Sequence, residues 1–254
     1  MKKVTFLKST LLAAMAVSGM AVINNASAAV SLDRTRVIFD GQDSSMSLNI
    51  SNDNKQLPYL AQSWIEDANG KKISSPFTVL PPVQRLEPSA KSQLKIQTTA
   101  AVSSLPKDRE SLFYFNLREI PPRSTKANTL QIALQTKIKM FFRPEAIALD
   151  KTQAARGDWI EKVTLKRTGN KYVVNNPTPY YLTIVSGAAS ITSAPVKLQP
   201  LMVAPKSSSE LDSLASDLGN NPVLNYINDY GGKPKIQFSC SGDICQAKLI
   251  KENK

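Results

Sequence analysis

NTLQIALQTKIKMFFRP, running from Asn128 to Pro144, is the stretch that decides how the chain folds. Leu130, Ile132, Leu134 and Ile138 share one parity, and Lys137, Lys139 and Arg143 share the other. Successive side chains of a strand point to opposite faces, so this run presents an apolar row on one side and a basic row on the other. No glycine interrupts it, and proline stands only at its end. Two roles satisfy the pattern: a half-buried strand of a sandwich, or an edge strand that binds another chain.

The preceding residues read as further short strands. Ser31 to Phe39, Met46 to Ile50, Tyr59 to Ile65, Gln93 to Thr98 and Leu112 to Ile120 are strand-like, with Met46, Leu48 and Ile50 on one face and Phe113, Phe115 and Leu117 on another. Asp40-Gly41, Asn52-Asp53-Asn54, Asn69-Gly70, Pro81-Pro82 and Pro121-Pro122 punctuate them as turns. About seven short strands without a helical period predict an all-β, immunoglobulin-type sandwich. The Cys-Trp-Cys core of antibody domains is missing, which argues against a true antibody-like domain.

Past Pro144 the strand pattern restarts at Trp159 to Leu165, Lys171 to Val174, Tyr180 to Val185, Val196 to Val203, Val223 to Ile227, Lys235 to Ser239 and Gln246 to Ile250, predicting a second, smaller all-β domain. Arg143 to Gly157 reads as the linker, because Pro144 ends strand pairing and the following residues lack alternation. Ser207 to Asp217 fits a short helix or a loop equally well. The expected units are therefore a leader at 1–28, a first domain at 29–148 and a second at 149–254.

The leader has the three parts of a secretory signal: Lys2, Lys3 and Lys8, an apolar run from Leu11 to Ile23, and Ala26-Ser27-Ala28 as a small-residue cleavage site. Its apolar run is shorter than the roughly 20 residues a spanning helix needs. Cleavage removes three of 32 basic residues and no acids, leaving 29 against 20, or +9. In an exported protein without an aromatic-basic motif, that surplus reads as a soluble surface rather than a nucleic-acid site.

The chain contains no histidine, which excludes Ser-His, Cys-His and HExxH chemistry together. No phosphate-binding glycine motif, metal-ligand cluster or cofactor motif is present, and no spacing singles out a catalytic pair. The only cysteines, Cys240 and Cys245, flank a Ser-Gly-Asp turn, so in an oxidising compartment they are expected to bond and pin a hairpin. The sequence predicts a binding protein and not an enzyme.

VSLDRTRVIFDG, ISNDNKQLPYLAQSWIED, PPVQRLEP, DRESLFYFNLREIPP, LQIALQTKIKMFFRP, NPTPYY and YINDYGG occur in that order, and together they resemble PapD and its relatives, the periplasmic chaperones of the chaperone-usher pilus pathway. The resemblance spans both domains and is weakest from Ala188 to Asn221. It implies a boomerang of two immunoglobulin-like domains whose cleft holds a pilus subunit, a pilin or adhesin. Leu130, Ile132 and Leu134 match the alternating residues that relatives insert into the subunit groove in place of its missing strand. Arg36 and Lys139 match the cleft cations that hold the subunit's C-terminal carboxylate. Glu110, Arg143 and Asp229 match charged residues that relatives link between the domains. The resemblance further implies delivery to an outer-membrane usher, and self-association into capped homodimers as one way to cover the apolar edge.

Overall fold

The computed structural model describes residues 28–126 and 128–250. The leader, except for Ala28, lies outside them.

The first ten strands are β1 (Val30–Leu32), β2 (Arg36–Asp40), β3 (Ser45–Asn52), β4 (Tyr59–Glu66), β5 (Lys72–Ile73), β6 (Phe77–Leu80), β7 (Val83–Leu86), β8 (Lys91–Thr98), β9 (Ser111–Ile120) and β10 (Gln135–Arg143). They form two sheets, one ordered β1-β3-β8-β6 and the other β2-β10-β9-β4-β5, with β7 on β4. All pairs are antiparallel except β2 with β10, which run parallel. The apolar faces meet in a core containing Phe39, Phe77, Phe113 and Phe142, whose ring centroids lie 5.0 to 6.3 Å apart. Such tilted and edge-on aromatic contacts add to area burial.

The strand expected at Ser31 to Phe39 is split between the two sheets. Val30 has even parity, whereas the fully buried Val37 and Phe39 have odd parity. A straight strand cannot bury both sets, because a change of parity changes the face. The break falls at Asp33-Arg34-Thr35, where Arg34 grips the Asp33 carboxylate at 2.8 Å.

The run from Asn128 to Pro144 is also shorter as a strand than its alternation predicts. β10 begins at Gln135, opposite Arg118. One register step further, Leu134 still accepts a bond from the Glu119 N–H at 3.0 Å. Beyond that β9 ends at Ile120, and Pro121-Pro122 has no N–H to continue a ladder. Apart from that bond at Leu134, residues 128–134 have no strand partner among the described residues.

The second unit contains β11 (Thr164–Thr168), β12 (Lys171–Asn176), β13 (Leu182–Ala188), β14 (Leu201–Val203), β15 (Ser207–Leu214), β16 (Val223–Tyr226), β17 (Lys235–Ser241) and β18 (Ile244–Ile250). They pair antiparallel in the order β14-β13-β16-β17-β18-β11-β12-β15 and wrap around Tyr172, Leu165, Ile184, Leu211, Leu224 and Phe238. Cys240 and Cys245 lie opposite each other on β17 and β18 and are bonded, as expected.

Three local expectations need correction. The linker is not featureless: it carries a 3-10 turn at Glu145–Ile147 and helix α1 (Lys151–Arg156), whose start Asp150 and Gln153 close as a reciprocal capping box. Gly157 ends that helix with φ of +64°, a conformation that glycine adopts without penalty. Ser207 to Asp217 is neither a loop nor mainly helix. Its residues from Ser207 form β15, with the buried Leu211 and Ser213 sharing one parity, and helix α2 (Ala215–Leu218) follows. Of the strand expected at Val196 to Val203, only β14 forms, and Val196 contributes a single bridge to Gly187.

Candidate functional site in the interdomain cleft

The parallel pairing of β2 with β10 places Lys139 opposite Arg36 on the outward face of the first sandwich, where that face turns toward the second domain. Arg36 is 9% exposed. Its Nη1 donates to the Ile227 carbonyl of the second domain at 3.1 Å, and its guanidinium carbon lies 5.9 Å from the centre of the Phe141 ring. Its Nε is buried without a hydrogen-bond partner. Lys139 donates to the Thr183 hydroxyl at 3.4 Å. Among the described residues neither cation forms an ion pair. Burial pushes both below their usual pKa values, and the neighbouring Arg36 charge lowers Lys139 further. Two adjacent, partly desolvated cations without an ion pair of their own, Arg36 only partly offset by the Asp229 and Glu110 charges, favour an incoming carboxylate over water, and the fork of an arginine beside the point charge of a lysine suits its two oxygens.

Four residues along β10, Arg143 crosses the hinge. Its Nη2 lies 2.8 Å from Glu110 Oε1, its Nη1 donates to Asp229 Oδ2 at 2.8 Å, and its Nη2 also donates to Asp229 Oδ1 at 3.0 Å. Glu110 sits at the entry of β9 and Asp229 in the loop after β16, so these three expected residues do meet across the domains. Glu110 additionally accepts the Tyr181 N–H at 2.7 Å, while its own N–H donates to the Pro179 carbonyl. Burial pushes Glu110 up to about 7, against the pull of Arg143 and the Tyr181 amide. Burial also opposes the Arg143 charge, but the bonds to Asp229 and Glu110 outweigh it and raise its pKa. Arg143 therefore stays charged, and Glu110 is the member in which desolvation outweighs the favourable contacts.

At the other end of β10 the apolar row stands in solvent. Leu130, Ile132 and Leu134 are 84%, 63% and 39% exposed, whereas Ile138, of the same parity, is 9% exposed in the core. The row thus continues the core-facing side of β10 past the edge of the sandwich. Gln131, of opposite parity, ties the segment back by donating to the Pro122 carbonyl and accepting from the Ser124 N–H.

Apart from Asp229, sequence reasoning missed the second-domain side of this cleft. Thr183, buried between the apolar Leu182 and Ile184 of β13, is marked only by being polar in an apolar strand. Ile227 acts through its carbonyl and leaves no side-chain signal. Asp108 reaches Lys206 across the domains at 2.5 Å, again without a motif. Among the described residues no metal-ligand cluster occurs, and no helix is long and apolar enough to cross a membrane.

Residues 29–148 match the N-terminal domain of PapD, described as a pili and flagellar-assembly chaperone, and residues 158–238 match the C-terminal domain of the pili-assembly chaperone PapD. The chain belongs to the PapD family of pilus-assembly chaperones. Chaperone protein PapD of Escherichia coli is 52% identical over 239 residues, covering 93% of this chain and 97% of that protein. The structure of the periplasmic chaperone SfaE superposes with a TM-score of 0.64 at 32% identity, covering 82% of this chain and 98% of that one. The Salmonella enterica SafA pilin in complex with the SafB chaperone matches with a TM-score of 0.69 at 27% identity, covering 89% and 98%. As a PapD-family chaperone the chain is a binding protein with a non-enzymatic function, and the two-domain all-β architecture is that of the family.

Proposed function

We propose that this chaperone acts in the periplasm, exported by the leader at 1–28, and captures pilus subunits by lending them residues 128–134 as a strand. The observation that carries this reading is the apolar row itself: three large side chains, in register with the core face of β10, held out where, past the single bond at Leu134, no described strand pairs with them. Main-chain pairing along such an edge supplies affinity, and side chains at alternate positions supply register. Arg36 and Lys139 lie at the opposite end of the run and hold the subunit's terminal carboxylate, so strand and anchor together set which residue enters which pocket. Glu110, Arg143 and Asp229 hold the angle of the cleft. The complex of the SafB chaperone with a pilin supports the partner class.

Delivery to an outer-membrane usher completes the proposed cycle. Without a client, two copies pairing along their apolar edges as a self-capping homodimer would bury the same row. Co-purification from a periplasm that expresses a pilin operon tests the reading. The wild type is expected to recover pilin stoichiometrically, and Arg36→Ala or Lys139→Ala to fold normally but recover none. Normal pilin yield with either variant refutes the anchor.

A further inference from the structure

Each cleft cation of the first domain rests on an acceptor of the second. Arg36 donates to the Ile227 carbonyl, and Lys139 to the Thr183 hydroxyl. The two acceptors are themselves joined, because the Ile227 N–H donates to the Thr183 carbonyl at 2.9 Å. Thr183 is 3% exposed, and the Lys139 ammonium is the group its hydroxyl serves. A valine of the same shape would fill the strand position equally well, so the packing of β13 does not require the hydroxyl.

The loop that carries Ile227 is built to a fixed shape. Asn228 Oδ1 accepts the N–H groups of Tyr230 and Gly232, while its backbone pairs with Gly231 and Gly232. Gly231, at φ of +82°, lies so close to the first domain that an added Cβ would stand 2.5 Å from the Thr35 hydroxyl, one residue before Arg36. The acceptors are therefore held at a set distance from β2 and β10.

We infer that Thr183 is a positioning residue of the carboxylate seat: its hydroxyl aims the Lys139 ammonium, as the Ile227 carbonyl aims the Arg36 guanidinium, and the seat is complete only when the domains are docked. This rests on the anchor reading above. A flexible lysine left without an acceptor spreads its charge over several rotamers, and a carboxylate must then order it on binding. The partner of this device is a chain ending in a free carboxylate, and the device does not act on a peptide that lacks that charge.

The test uses the full mature chaperone and a synthetic peptide of alternating apolar residues ending in a free carboxylate, beside the same peptide ending in a carboxamide. Thr183→Val is expected to weaken the carboxylate peptide about 3- to 10-fold, as fits loss of one long hydrogen bond of ordinary strength. It is expected to leave the carboxamide peptide unchanged, and Thr183→Ser to restore binding. Equal weakening of both peptides would assign Thr183 to packing and overturn the inference, as would unchanged carboxylate binding. Arg36→Ala separates the two levels. If it weakens the carboxylate peptide and Thr183→Val does not, the anchor stands and the positioning role falls; if neither has an effect, both fall.

Discussion

Truncating Leu130, Ile132 and Leu134 to alanine one at a time removes side chains that the free protein leaves exposed to a decreasing degree and a captured subunit would bury. Full burial of a leucine or isoleucine is worth about 1.5 to 3 kcal/mol. Only the part still exposed remains to be gained, and exposure falls along the row from 84% through 63% to 39%. Scaling the midpoint by those fractions gives losses of about 1.9, 1.4 and 0.9 kcal/mol, or about 25-, 10- and 4-fold in subunit affinity. The stability of the chaperone itself should fall only by the complementary, already buried part, about 0.4, 0.8 and 1.4 kcal/mol in the same order. Ile138→Ala is the internal control: it belongs to the same alternating row but lies in the core, so it should cost about 2 to 5 kcal/mol of stability. Titration calorimetry against a purified pilin gives the affinities, and urea denaturation of each variant gives the stabilities. Unchanged affinity in all three variants, or a reversed order with Leu134 costing most, would refute the reasoning.

Two further outcomes concern the hinge. Arg143→Met leaves Glu110 buried and unpaired, and should destabilise the fold by about 3 to 5 kcal/mol in urea denaturation; a loss below about 1 kcal/mol would show that Glu110 finds another partner. Glu110, pushed from 4.5 to about 7, binds its proton more tightly folded than unfolded, so its contribution to stability is full below about pH 4.5 and is lost as pH rises through about 7. The fall is about 3 kcal/mol at most. Glu110→Gln should abolish it, which urea midpoints at pH 5 and pH 8 would show; identical pH dependence in variant and wild type would exclude Glu110 as its source.

Alternation alone made the first sandwich legible, because β3 and β8 each bury one parity and the buried apolar residues of β9 share one, and period two is a local property of the chain. The same rule overran at residues 128–134, where the periodicity is present but the ladder is not. Pairing needs a second strand, and β9 stops at Pro121-Pro122. The linker helix escaped because its six residues are too few to show a 3.6-residue period, although Asp150 and Gln153 at capping-box spacing were there to be read.

Of the cleft, the charged side chains on β2, β9 and β10 could be picked out through the family resemblance, while Thr183 and the Ile227 carbonyl could not. A main-chain acceptor has no residue-type signature, and one threonine in a strand is ordinary. The sequence by itself determined the strand periodicities, the absence of histidine chemistry, the two cysteines of one hairpin and the apolar row ahead of β10. Only the tertiary structure decided that Ile138 is core while Leu130 is exposed, that Arg143 reaches an acid from each domain, and that Arg36 and Lys139 stand side by side without an ion pair among the described residues. Those outcomes depend on contacts between residues up to 191 positions apart, and hydrophobic alternation, being a nearest-neighbour pattern, carries no information about them.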